Sequence, residues 1–205
     1  MAASRPIVAF DYDGTLIDAY EFKRQSYWLA VSETLGLGAS KREVVDASYA
    51  RTSGAHRLQQ LADTARALGI AVSPAHEQEF SRRYSAYNDA AKDLMREFPS
   101  VRSVLQALRA RFDLALISGL PNDLLTADVQ ERGLGEFFLR IEGGDKGRAL
   151  DRLHAEGRDV ILFVGDTPHD KGVAAEKGVK FFLVQGDDDL RRIPALLDPA
   201  GGKGG

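Results

Sequence analysis

The sequence predicts a doubly wound α/β domain, a parallel sheet with helices on both faces, interrupted by an all-helical cap inserted after the first strand. Three observations predict it. Short apolar runs at Ile7–Phe10, Leu114–Ile117, Val160–Val164 and Phe181–Val184 alternate with stretches of helical periodicity, the pattern of a buried parallel sheet under crossover helices. No strand pattern occurs from Ala19 to Phe98. Acidic or hydroxyl residues follow the apolar runs, at the strand ends where open α/β sheets bind ligands.

The first strand is Ile7–Phe10, β-branched and aromatic. From Ala19 to about Leu35 apolar residues recur at helical spacing (Phe22, Tyr27, Trp28, Val31, Leu35), with Gly36 and Gly38 as punctuation. Helices are expected near Ser40–Tyr49, Ala55–Leu68 and Pro74–Met95. Gly69 serves as a C-cap, and Ser73-Pro74 as an N-cap followed by proline in the first turn. Beyond Pro99 the expected order is helix Val101–Arg111, strand Leu114–Ile117, helix Asn122–Arg132, short strand Phe137–Ile141, helix Lys146–Ala155, strand Val160–Val164, helix Asp170–Lys177, strand Phe181–Val184 and helix Leu190–Leu197. The expected division is a catalytic core at 1–18 and 99–200, a helical cap at 19–98 and a flexible Gly-rich tail at 201–205.

The chain has 205 residues, enough for one large domain or one domain carrying a smaller one. A formal net charge of −3 leaves no basic footprint for nucleic acid. No apolar stretch is long enough for a bilayer, and Arg5-Pro6 runs straight into the first strand without an apolar signal-peptide core. With no cysteine, disulfides and thiolate metal sites are excluded. A cytoplasmic protein with no nucleic-acid or membrane partner is the expectation.

Asp11-Tyr12-Asp13-Gly14-Thr15 is the most informative stretch. Two carboxylates two residues apart at a strand end repel one another, which is costly unless a cation or a reaction uses them. Ser118-Gly119 follows the second strand of the α/β pattern. Gly165-Asp166, with Asp170 four residues on, follows Val160–Val164. If the strands are parallel, all of these share one sheet edge and converge on one cleft.

In order and content these motifs resemble the haloacid dehalogenase-like hydrolase superfamily. Asp11-Tyr12-Asp13-Gly14-Thr15 matches its D-x-D-G-T signature. Ser118 matches the Ser or Thr ending the next strand. Lys146 matches the lysine of the third motif, although Gly147 follows where that branch often has proline; Arg148 is the alternative cation. Gly165-Asp166-Thr167-Pro168-His169-Asp170 matches G-D-x-x-x-D. The resemblance covers almost the whole chain, and the helical insertion is similar to the cap of the phosphoglycolate phosphatase-like branch.

The resemblance implies a Mg²⁺-dependent phosphatase acting on a small phosphorylated metabolite through an aspartyl-phosphate. Asp11 would be the nucleophile and Asp13 the general acid and base. Asp11, the Asp13 carbonyl and Asp166 would hold Mg²⁺, with Asp170 a further ligand or an orienter of water. Ser118 and Gly119 would face phosphate oxygens, Thr15 would stabilise the loop or touch the phosphate, and Lys146 would supply fixed positive charge. Arg57, in the insertion, could reach a second anionic group of the substrate; its alternative is a solvated helix residue. Asp170 has a rival reading as the N-cap of the following helix, and Asp18 reads as the cap of the first insertion helix. His169 reads as a surface or packing residue, and Tyr20, Phe22 and Trp28 as the apolar core of the insertion. A sugar phosphomutase of the same superfamily and a non-catalytic regulatory or binding protein are the alternatives. A dehalogenase fits less well, because Asp13 is present. Which ester is used, and whether the protein is a monomer or a homodimer, stays open at this stage.

Overall fold

The computed structural model describes residues 5–198; the tail expected at 201–205 lies outside the described residues. In chain order the elements are β1 (Ile7–Phe10), β2 (Ile17–Asp18), α1 (Tyr20–Leu35), α2 (Arg42–Thr52), α3 (Arg57–Leu68), α4 (Pro74–Ala91), β3 (Arg96–Glu97), α5 (Val101–Arg109), β4 (Asp113–Ser118), α6 (Asn122–Glu131), β5 (Arg140–Gly143), α7 (Lys146–Ala155), β6 (Val160–Gly165), α8 (Pro168–Glu176), β7 (Phe181–Leu183) and α9 (Asp187–Leu196). They fall into two compact units: the segment up to Asp18 together with everything from Glu97 onward, and the segment Ala19–Arg96. Among the described residues no helix is long and apolar enough to cross a membrane.

The first unit is built on a five-stranded sheet in the order β5-β4-β1-β6-β7. All neighbouring strands are parallel, as expected for strands separated by helices. The chain runs outward from β1 through β4 to β5, then crosses back to lay down β6 and β7 on the other side. The strand order therefore reverses at β1 and β6, and a crevice opens outside the carboxyl ends of those two strands. Phe10 is level with Leu116 on one side and with Val164 on the other, so Asp11 and Asp166 leave the same sheet edge on adjacent strands.

The residues of β1, β4 and β6 are largely buried on both faces, which is why these runs read as continuously apolar. Ile7, Ala9, Ile117 and Phe163 pack with Leu150 and Leu153 of α7 and with Val173 and Ala174 of α8. On α5, Val101, Val104, Leu105 and Leu108 recur at helical spacing, and all four are buried.

The second unit is all helical apart from the start of β3. Its core joins Tyr27, Trp28, Val31, Val45, Tyr49, Leu61, Phe80 and Tyr84, with Tyr20 packed against it. Tyr27 meets Phe80 edge-on at 5.6 Å and Tyr84 at 5.8 Å, geometries that suit the ring quadrupole. Its buried hydroxyl is not wasted: it bonds Thr64 Oγ1 at 2.7 Å, and Thr64 in turn donates to Ser48 Oγ at 2.8 Å. Ser73 caps α4 by accepting from the His76 amide, with Pro74 in the first turn.

The fold class is the one expected, and the differences are local. The fifth strand lies at Arg140–Gly143 rather than Phe137–Ile141, because Gly135–Phe137 forms a single tight turn that buries Phe137. The helix expected over Pro74–Met95 ends at Ala91 and tightens into one turn at Lys92–Leu94. Asp18 does not cap α1: it stands in β2, and the capping position is Ala19, with no side-chain bond. Asp170 is not an N-cap either. That place is taken by Thr167, and Asp170 occupies the third helical position of a capping box.

Candidate active site

The loop after β1 is defined by one carbonyl. Asp11 still donates its amide to Val164 O at 2.8 Å, one residue past the assigned strand. The chain then folds around Tyr12 O, which accepts from the amides of Thr15 (3.3 Å), Leu16 (2.8 Å) and Ile17 (3.1 Å), while Gly14 donates to Ile17 O at 2.7 Å. Gly14 takes φ +84°, and a Cβ there would lie 2.1 Å from Asp166 Oδ2. The turn thus requires glycine twice over, once for its backbone angle and once for the carboxylate pressed against it. Thr15, buried, donates its hydroxyl to Asp166 Oδ1 at 3.3 Å. Of the two roles expected for Thr15, steadying the loop or touching phosphate, this contact is of the first kind, and it reaches an acid from the neighbouring strand.

Behind this loop sits a buried charge cluster. Lys146, at the first position of α7, has a side chain only 1 % exposed. Its Nζ lies 2.8 Å from Asp11 Oδ1 and 2.6 Å from Asp170 Oδ1. The other Asp170 oxygen accepts from the Thr167 amide at 3.1 Å and from Thr167 Oγ1 at 2.5 Å. Gly165 makes this possible, since a Cβ there would stand 2.7 Å from Asp170 Cβ. Carboxylate oxygens of Asp11, Asp166 and Asp170 all lie within 4.8 Å of one another.

Such crowding shows in the titration of the groups. Burial drives the Asp11 carboxyl well above its ordinary value, and Asp170 and Asp166 push the same way against the opposing pull of Lys146. Asp166 is pushed up to about 6, first by burial and then by Asp170. For Lys146, burial favours the neutral amine, but the charges of Asp11 and Asp170 overcome it and hold the ammonium above its usual range. Three carboxylates against one ammonium leave a deficit of two positive charges in a buried place. A divalent, oxygen-seeking cation fits both that charge and that donor set.

The other expected residues fall as follows. Asp13 is partly exposed and stands outside the trio of carboxylates. Ser118 ends β4, buried, and its Oγ accepts from the Leu120 amide at 3.2 Å; Gly119 beside it is partly exposed. Arg148 is exposed, and Lys146 is the cation that the fold buries beside Asp11. His169 is half-buried, and burial and Lys146 hold its imidazole below the usual histidine range. Arg57 is not a solvated residue: it is buried in the helical unit, donates to Ser85 Oγ at 2.9 Å and lies 5.4 Å from the Tyr84 ring. Thr167 was missed as a supporting residue, yet Thr-Pro-x-Asp after a strand is a readable capping pattern with proline at its first helical position.

Gly14→Ala tests the close approach. A methyl at 2.1 Å must move Asp166 or the loop, and φ +84° adds strain for any residue with a Cβ. The expected outcome is a loss of about 2 kcal/mol or more of stability in thermal unfolding. Wild-type behaviour would contradict the geometry.

An α/β sheet with acids and a buried ammonium at its reversal point places these groups where open α/β sheets bind ligands. This chain belongs to the haloacid dehalogenase-like hydrolase family, whose profile matches residues 8–184. It is 26 % identical over 192 residues to the phosphoglycolate phosphatase of Vibrio vulnificus strain YJ016, covering 86 % of this chain and 82 % of that one. A hydrolase from Pseudomonas syringae has the same fold, with a TM-score of 0.74 at 15 % identity, covering 92 % of this chain and 90 % of that one. A haloacid dehalogenase-like family hydrolase from Streptococcus pneumoniae gives 0.66 at 18 % identity, covering 94 % and 91 %.

Proposed function

We propose that the protein is a Mg²⁺-dependent phosphatase that hydrolyses a small phosphorylated metabolite through an aspartyl-phosphate. The observation that carries this reading is the buried Lys146 ammonium bonded to both Asp11 and Asp170, with Asp166 alongside at the reversal point of the sheet. The family assignment and the phosphoglycolate phosphatase relative support it.

In this reading Asp11 attacks phosphorus and the ester oxygen leaves with a proton from Asp13. Asp13 then takes a proton from the water that hydrolyses the acyl phosphate. Lys146 neutralises Asp11 as the anionic ester approaches and stays on the phosphoryl oxygens as charge develops. Ser118, Gly119 and nearby backbone N–H groups hold those oxygens, and Thr15 keeps Asp166 in place. Asp11, Asp166 and the Asp13 carbonyl would hold Mg²⁺, which when bound shields the nucleophile from the negative phosphate. Asp170 lies in the same trio of acids, and its first task is to orient Lys146. The unit that includes β1 and the strands after Glu97 is the catalytic core, and Ala19–Arg96 is the cap that selects the substrate. Arg57 is held inside that cap by Ser85 and Tyr84, so its expected contact with substrate is not part of this proposal.

A phosphate-release screen across phosphorylated metabolites, phosphoglycolate included, tests the reading. Turnover that EDTA abolishes and Mg²⁺ restores is the expected result. Glucose 6-phosphate formed from β-glucose 1-phosphate with no free phosphate would overturn it in favour of a mutase.

A further inference from the structure

Tyr12 lies between the two acids of the loop, and its side chain is fully buried. Its side chain reaches α6, whereas that of Asp11 meets Lys146 of α7. Its hydroxyl donates to Asp128 Oδ2 on α6 at 2.7 Å. Arg132, the residue that closes α6, donates to the same oxygen at 3.1 Å. Arg132 O in turn accepts from Arg102 of α5 at 2.5 Å, and Arg102 pairs with both carboxylate oxygens of Glu97 at 2.9 and 3.0 Å. A phenyl ring would fill the Tyr12 site as well as a phenol, and the buried hydroxyl is costly unless bonded.

The same residue is the pivot of the backbone. Three loop amides converge on the Tyr12 carbonyl, so Tyr12 is fastened at its main chain to the loop and at its side chain to α6. Asp13 is the next residue. We propose that Tyr12 is a positioning residue whose Asp128-bound hydroxyl fixes the turn that aims Asp13. The proposal rests on the phosphatase reading for its effect on turnover, but not for its effect on the loop.

Tyr12→Phe, Asp128→Ala and Asp128→Asn in the full chain test it, read by amide hydrogen exchange and by kinetics. In Tyr12→Phe and Asp128→Ala the Leu16 and Ile17 amides should exchange at least tenfold faster, with the Val8 and Phe10 amides unchanged. The kcat should fall about tenfold with KM within twofold, as expected when a reacting group is misplaced rather than lost. Asp128→Asn keeps a partner for the hydroxyl and should stay close to wild type in both measurements. Loop amides as slow as in wild type in Tyr12→Phe would overturn the proposal. So would equal acceleration in β1, which marks general destabilisation, or Asp128→Asn behaving like Asp128→Ala. A wild-type protein that releases no phosphate would sink the phosphatase reading alone, with the exchange result still deciding the role of Tyr12.

Discussion

Replacing Asp11 by Asn should reduce phosphate release to background, a loss of at least about 10⁴-fold, while thermal unfolding stays at or above the wild-type temperature. The first half follows from chemistry: an amide is a poor nucleophile for phosphorus and would form no acyl phosphate that water could clear. The second half follows from electrostatics. Burial and the nearby charges of Asp170 and Asp166 raise the Asp11 carboxyl well above its ordinary value, so its anion is held against a gradient. Asn occupies the same volume without that charge, and Lys146 keeps its 2.6 Å bond to Asp170. Measured phosphate release near the wild-type rate, with contaminating phosphatase excluded, would remove Asp11 from the reaction. A large drop in unfolding temperature would show instead that Asp11 is chiefly structural.

Lys146→Met should have the opposite effect on stability and the same effect on activity. Methionine roughly matches the length of the lysine stem but removes the ammonium that bonds both Asp11 and Asp170. Removing one partner of a buried charge pair typically costs about 3–5 kcal/mol, which in a chain of this size lowers the unfolding temperature by on the order of ten degrees. The loss should depend on pH with a definite sign. An acid whose folded pKa is raised binds more protons folded than unfolded, so its burden on stability is absent at low pH and grows as pH rises. For Asp166 in the wild-type protein that window runs from the ordinary 3.8 to about 6. In Lys146→Met the raised acids lose their counterion, so the window widens upward and the deficit is larger at pH 7 than at pH 5. Unfolding temperatures across pH 5–8, without metal and with Mg²⁺, check this. A deficit that does not shrink on acidification would contradict the account.

Much of this arrangement is legible in the sequence because its signals are local. Ile7–Phe10, Asp113–Ser118 and Val160–Gly165 are buried on both faces, so hydrophobicity alone marks them, and the turn residues after them mark the sheet edge. The two-residue strands Ile17–Asp18 and Arg96–Glu97 were not visible, because nothing so short carries a period. The fifth strand was misplaced for a related reason: Phe137 and Phe138 look like strand residues but are buried by a turn. In the site, the acids could be named from their places at strand ends, and the lysine from the family resemblance. Their mutual arrangement could not. That Asp170 holds Lys146, that Thr15 reaches Asp166, and that Tyr12 bonds Asp128 are contacts between residues 24, 151 and 116 positions apart. Arg57 is the clearest limit: an arginine at a helix start reads equally well as a ligand for anions or as an internal strut, and only packing decides.

The central place of β1 also bears on how the molecule is made. Ile7 is aligned with Asp113 on one side and Val160 on the other, so this apolar segment waits for partners synthesised much later. At about 5–20 residues per second that delay lasts on the order of ten seconds or more. Ala19–Arg96 is contiguous and helical, and it can collapse meanwhile. Nascent Ile7–Phe10 then stays unpaired until β4 is made, and its second edge is covered only when β6 arrives.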